Sequence, residues 1–209
     1  MTEPIRADQV KVVPANEASW LDLQAIFGTA DYAARCRCQR FKVEGWIWRD
    51  TTFDERVELQ QEQTGCDDPG AGRTSGLVAY VDGAPAGWVA VEPRTAYPKL
   101  INGRSPVPWK GRQEDRDDDG VWAVTCTIVR RGYRGRGLTY HLAAATVGYA
   151  RERGARTLEA YSMITQPGKE ITWGELHVGA RQVFEEAGFT QVSHPSKRRA
   201  VMRIDFGPG

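Results

Sequence analysis

The chain has 209 residues, 41% of them hydrophobic and 26% charged, with 28 Lys and Arg against 27 Asp and Glu. That length fits one domain with its own core, expected to span residues 1–209, and the composition excludes a disordered chain. The near-balance of charge excludes a broad electrostatic surface for nucleic acid or anionic membrane. No apolar run approaches the roughly 20 residues of a membrane helix. The polar start Met1-Thr2-Glu3-Pro4-Ile5-Arg6 lacks the apolar centre of a signal peptide. Four cysteines suit a reducing compartment, so a cytoplasmic protein is expected.

In chain order, Asn16 to Phe27 reads as a helix, with Asn16 as its N-cap and Trp20, Leu23 and Phe27 at helical spacing. Phe53 to Gln63 reads as a second, with Val57 and Leu59 available for burial. Between them a loop carries Cys36, Cys38, Trp46 and Trp48, and residues 66–75 form a Gly/Asp/Pro-rich connection. Leu77–Val81 and Ala86–Val91 are two strands joined by the turn signal Asp82-Gly83. Residues 92–120 are polar and irregular, with four prolines and the run Asp117-Asp118-Asp119, which reads as a solvated turn before the next strand or as an attraction for a cationic acceptor.

Val121 to Val129 is an apolar, β-branched run that reads as a central strand. Glycines at 132, 135 and 137 then punctuate a loop, Leu138 to Arg153 has a helical pattern, and Gly154 ends it. Thr157 to Met163 is a further strand, Val178 to Ala187 a helix, and Phe189–Val192 and Ala200–Phe206 two final strands.

The loop Arg134-Gly135-Arg136-Gly137-Leu138-Thr139 lies between a strand and a helix. A helix N-terminus carries unpaired N–H groups and the positive end of the helix dipole. Glycines let the backbone approach an anion, and Arg131, Arg134 and Arg136 add charge, so the assembly reads as a pyrophosphate cradle.

These residues carry a resemblance. Arg134, Gly137 and Thr139 fall on the Gln/Arg-x-x-Gly-x-Gly/Ala motif of the GNAT acyltransferase superfamily, with Thr139 at its last position. The ending Phe184-Glu185-Glu186-Ala187-Gly188-Phe189 resembles the family's aromatic-Glu-x-x-Gly-Phe close, and the element order from Leu77 to Phe206 matches the fold. The resemblance implies an α/β fold of α+β type: a mixed, mostly antiparallel sheet flanked by helices, with a splayed central strand pair. It implies acetyl-CoA as co-substrate. The pantetheine arm would lie along Thr127, Ile128 and Val129, and the pyrophosphate on the amides of Arg134, Gly135, Arg136, Gly137, Leu138 and Thr139. The implied reaction is acetyl transfer to a primary amine, on a small molecule or a protein lysine. Homodimers are common in the superfamily.

Such transfer needs a base for the ammonium, donors for the oxyanion and protonation of the leaving thiolate. The central strand has no Glu, and the family's alternative position in the next strand corresponds to Glu159, the expected base. The family's usual acid, a Tyr on the last helix, corresponds to Phe184; Tyr161, on the same strand face as Glu159, is a substitute acid or a core residue. The missing Tyr and strand Glu also fit a non-catalytic acyl-CoA-binding regulator. Acceptor selection falls to Arg35–Trp48, Glu92–Asp119 and Ile164–His177, with Trp46, Trp48, Trp109 and Trp173 as pocket walls or loop anchors. Cys36 and Cys38 lack an adjacent second ligand pair, so no metal is expected. Cys126 reads as core, His141 as a helix-face residue, His194 as surface, and His177 and Glu175 as cleft-lining.

Overall fold

The computed structural model describes residues 3–207 except 30, 45–46, 103–106, 167 and 170, together with all their side chains but those of residues 31, 32 and 173. Among these residues seven strands form one sheet in the order β1-β2-β3-β4-β5-β7-β6. The strands are β1 (Val10–Pro14), β2 (Gly76–Val81), β3 (Ala84–Pro93), β4 (Val121–Val129), β5 (Thr157–Met163), β6 (Thr190–Ser196) and β7 (Arg199–Asp205). Every neighbouring pair is antiparallel except β4 and β5. That exception follows from connectivity: a helix crosses between those two strands, as a parallel pair requires.

The crossing helix is α6 (Leu138–Glu152). Its Leu138, Leu142, Ala143 and Ala150 pack on Val89, Val91, Val124, Leu158 and Ala160, and α8 (Arg181–Glu186) adds Val183 and Phe184 to the same layer. On the opposite face α1 (Trp20–Phe27) lays Leu23, Ile26 and Phe27 on Val78, Trp88, Ala90, Cys126 and Ile128. Farther along that face, Tyr97, Leu100, Ala123, Tyr161 and Val201 form a third cluster. It lies under the segment holding α5 (Pro98–Ile101).

Several boundaries differ from the sequence pattern. Ser19, not Asn16, caps α1: its Oγ accepts the Asp22 N–H at 3.0 Å. Asn16 is buried in a short 3-10 turn and donates its amide to the carbonyls of Asp68 and Pro69. α4 (Phe53–Thr64) is closed by a Thr52/Glu55 capping box but buries Gln60 and Thr64 rather than Val57 and Leu59. The expected loop between α1 and α4 contains two short helices, α2 (Asp31–Cys36) and α3 (Ile47–Asp50). The helix expected over Val178 to Ala187 is the shorter α8, and a one-turn α7 (Trp173–Leu176) precedes it across residues 177–180.

β4 carries a β-bulge. Cys126 pairs with Ala90 and Val124 with Val91, leaving Thr125 as the extra residue. The parallel pairing of β4 with β5 runs only from Val121↔Thr157 to Val124↔Ala160. Bulge and loss of pairing coincide, and past Val124 the two strands part.

Candidate active site

Residues 177–180 enter the opening between β4 and β5. The Thr127 N–H donates to the His177 carbonyl at 2.6 Å, and the Met163 N–H donates to the Gly179 carbonyl at 2.9 Å. Gly179 turns the chain there with φ 81°, and a Cβ on it would lie 2.6 Å from the Phe184 ring. That ring is fully buried edge-on against Phe189, so Phe184 is a packing residue.

Successive residues of a strand direct their backbone groups to opposite neighbours. Thr127 and Val129 face the open side; Ile128, paired with Trp88, faces β3 and has its side chain in the core. The expectation that all three offer backbone to a ligand is therefore corrected for Ile128. The open edge also holds internal partners: the Thr127 amide is engaged by His177, and the Val129 carbonyl accepts Arg134 Nε at 2.9 Å.

The loop before α6 is shaped by two left-handed glycines, Gly135 at φ 69° and Gly137, the N-cap, at φ 85°. A Cβ on either would point into open space. Among the described residues, the amides of Gly135, Arg136, Gly137, Leu138 and Thr139 meet no acceptor. The arginines behave differently from the sequence expectation. Arg134 folds back onto the Val129 and Thr29 carbonyls, and Arg136 Nε donates to the Glu3 carbonyl. The N-terminal segment is tied down beside it, the Ile5 N–H donating to the Arg136 carbonyl. The side chain of Leu138 is core, so only its amide faces the loop. Free amides, open glycines and a helix N-terminus fit an anionic pyrophosphate.

Glu159 is not placed for a base. It is completely buried, with Arg94 at 3.5 Å, Arg203 at 3.7 Å, Arg112 in direct contact, and the Tyr161 hydroxyl donating to it at 2.9 Å. Arg94 is itself fully buried and stacks on Trp109, as do Arg112 and Arg116. The cluster ties Arg94 and Arg112 to Glu159 on β5, and Trp109, under the three arginines, anchors its segment rather than walling a pocket. Tyr161 is held in it; burial and the Glu159 charge push its phenol well above the ordinary range. Asp117 and Asp119 are exposed, and Asp118 pairs with Arg156, as a solvated turn does.

Above this cluster, on the same sheet face, the segment after α2 covers the open strands. Arg37 and Cys38 both hold left-handed backbone, at φ 51° and 57°. Cys38 Sγ accepts the Trp88 indole N–H at 3.2 Å and faces Cys126. Lys42 pairs with Glu92 at 2.5 Å, a carboxyl that burial raises above its usual range. Phe41 stacks on the His177 ring, centroids 6.1 Å apart. Trp48 lies outside this group, under Arg56 and Lys99. Trp46 falls outside the described residues, as does the side chain of Trp173. His141 bonds the Ile5 carbonyl, and His194 is exposed. Among the described residues no group of three or more potential ligands is arranged to hold a metal. A groove of about 480 Å³ beside α3 and α4, lined by Val43, Ile47, Glu55 and Leu59, shares no residue with these groups.

The family model for the acetyltransferase (GNAT) family matches residues 37–168, more than half of the chain. The chain belongs to the GNAT acetyltransferase family. It is accordingly an acyltransferase, and the family normally draws its acyl group from acetyl-CoA. Solved structures agree in fold. A GCN5-related N-acetyltransferase from Kribbella flavida is 15% identical with a TM-score of 0.54, over 96% of this chain and 100% of that one. A GNAT-family acetyltransferase from Bacillus anthracis is 11% identical with a TM-score of 0.52, over 96% and 97%. An N-acetyltransferase from Staphylococcus aureus Mu50 is 16% identical with a TM-score of 0.50, over 94% and 98%. At these identities the likeness is one of fold. Among curated proteins none matches the chain in sequence. No helix among the described residues is long and apolar enough to cross a membrane.

Proposed function

We propose that the protein is an acetyl-CoA-dependent N-acetyltransferase that moves the acetyl group to a primary amine by direct attack on the thioester. The observation that supports it best is one of placement. Five amides without acceptors among the described residues ring the N-terminus of α6, directly after the strand whose edge opens at the Thr125 bulge. In this reading the amides of Gly135 to Thr139 take the pyrophosphate. The Thr127 carbonyl and the Val129 N–H, on the same open side, take the pantetheine, while the Thr127 N–H stays on His177 and the Val129 carbonyl on Arg134. Charge on the phosphates is met by amides and the helix dipole, a preorganised arrangement that needs no side chain to move. A non-catalytic acyl-CoA-binding module is the second reading, favoured by the burial of Phe184 where an acid would stand.

Calorimetry with Gly137→Leu tests the coenzyme site. The new side chain would fill the cradle, and the acetyl-CoA dissociation constant is expected to rise at least about tenfold. Gly83 has a similar φ of 79° and equally open surroundings in the β2–β3 turn, so Gly83→Leu controls for backbone strain. Equal affinity in the two variants refutes the assignment. Release of coenzyme A thiol with any amine decides against the regulator.

A further inference from the structure

His177 is only 6% exposed, yet half of its imidazole is unused. Nδ1 lies 2.8 Å from the Gly174 carbonyl, an acceptor, so Nδ1 carries the hydrogen and Nε2 presents a lone pair. That Nε2 is buried and meets no donor among the described residues. Leaving a buried acceptor without a partner is unfavourable, so Nε2 is free to take a proton or a donor from a ligand. The backbone of the same residue is held against Thr127, on the β4 edge where the thioester would lie. Its ring is covered by Phe41, on the segment that begins with the left-handed Arg37 and Cys38. Non-glycine residues in that region are strained, and such strain gathers at functional segments.

The charges facing the ring come from two other elements: Arg40 on the covering segment and Arg199 on β7. Burial foremost, with these two cations behind it, lowers the imidazole to about 4, so it is neutral at pH 7. On its own side Glu175 is occupied by Arg198 at 2.8 Å. Arg199 is half-buried, donates to the Tyr161 carbonyl at 3.2 Å, and has no carboxylate within ion-pair distance among the described residues. A guanidinium in that position suits an anionic group on a ligand.

We propose that His177 is the general base of the transfer, receiving on Nε2 the proton that the acceptor's ammonium must lose, in a pocket where Arg199 binds an acid group of the same acceptor. The substrate class is then an amine bearing a carboxylate, such as an amino acid. It enters by displacing Phe41. After the ammonium gives its proton to Nε2, the amine nitrogen bonds the thioester carbonyl carbon. A second N–H proton goes to solvent as the C–S bond breaks, and the thiolate leaves with the electron pair and takes the proton back from His177. An acid group on Arg199 also cancels part of the positive field on the ring, so the bound acceptor itself raises the basicity of His177.

This inference rests on the acetyl-CoA reading, and the experiment separates the two. Acetyl-CoA binding is measured by calorimetry. Coenzyme A release is measured with the common L-amino acids, spermidine and a lysine peptide blocked at both ends. An amino acid is expected to be turned over in preference to spermidine and the peptide. His177→Gln should cut kcat about 100- to 1000-fold while acetyl-CoA affinity stays within about twofold, and imidazole should partly restore His177→Ala. Arg199→Gln should raise KM for the amino acid more than it lowers kcat. Nitrogen-15 NMR of the wild type should show a neutral Nδ1–H tautomer at pH 6. Absence of acetyl-CoA binding to the wild type refutes the coenzyme reading. If acetyl-CoA binds, this proposal is overturned by near wild-type turnover in His177→Gln, by equal use of spermidine, or by no amino acid being accepted.

Discussion

Glu159→Gln separates a structural carboxylate from a catalytic one. Glutamine keeps the shape and an acceptor oxygen but removes the negative charge facing Arg94, Arg112 and Arg203. Arg94 is completely buried, and its remaining partners are the backbone carbonyls of Asp115 and Arg116. Breaking a buried ion pair from one side costs about 3–5 kcal/mol because the other charge is left uncompensated. For a chain of this size each kcal/mol moves Tm by about 2–4 °C, so a fall of roughly 6–20 °C is expected. Thermal unfolding followed by circular dichroism measures the fall, and urea unfolding the free energy. Removing the cation as well, in Arg94→Met with Glu159→Gln, should recover at least about 1 kcal/mol, since the pair's desolvation cost disappears with it. The reasoning is refuted if Glu159→Gln melts like the wild type yet transfers acetyl much more slowly; that result would return Glu159 to the role of base.

Three further expectations follow from the same geometry. Folding of the His177 ring in neutral form makes stability depend on acid: the unfolded imidazole takes its proton near pH 6.5, whereas the folded one does so only near 4. Its contribution is therefore full above pH 6.5 and is lost as pH falls toward 4, by about 3 kcal/mol in total, a loss that should shrink in His177→Asn unfolding curves measured over that window. Burial pushes the Cys36 thiol up to about 11, so native alkylation by iodoacetamide at pH 7, read by mass spectrometry, should be far slower at Cys36 than in the unfolded chain. The Gly137→Leu and Gly83→Leu pair should differ in acetyl-CoA affinity but not in Tm, because both substitutions carry the same left-handed strain.

What could be read from the sequence was local. The strand Val121–Val129, the glycine loop and the α6 pattern are contiguous signals, and each stands where its pattern put it. β1 escaped notice because five residues ending in Pro14 carry little periodicity; its identity as a strand comes from pairing with β2, more than sixty residues away. Val57 and Leu59 misled because α4 packs on polar chain, where Gln60 and Gln63 meet Arg37 and Gln39 and the Thr64 carbonyl accepts Thr74. Glu159 illustrates the limit at the site itself. Its neighbours Leu158 and Ala160 match a family pattern, but its chemistry is set by arginines 65, 47 and 44 positions away, and no local window contains them. His177 shows the converse. The sequence offers His177 only as a cleft-lining residue; its chemistry appears once the fold sets its carbonyl on Thr127, fixes its Nδ1 on Gly174 and leaves its Nε2 without a partner among the described residues. Coenzyme binding of this kind uses backbone shape, which glycines announce in the sequence. Acid–base chemistry uses what surrounds a side chain, and that is decided by tertiary packing; the residues that carry it must be sought by their unmet hydrogen-bonding groups.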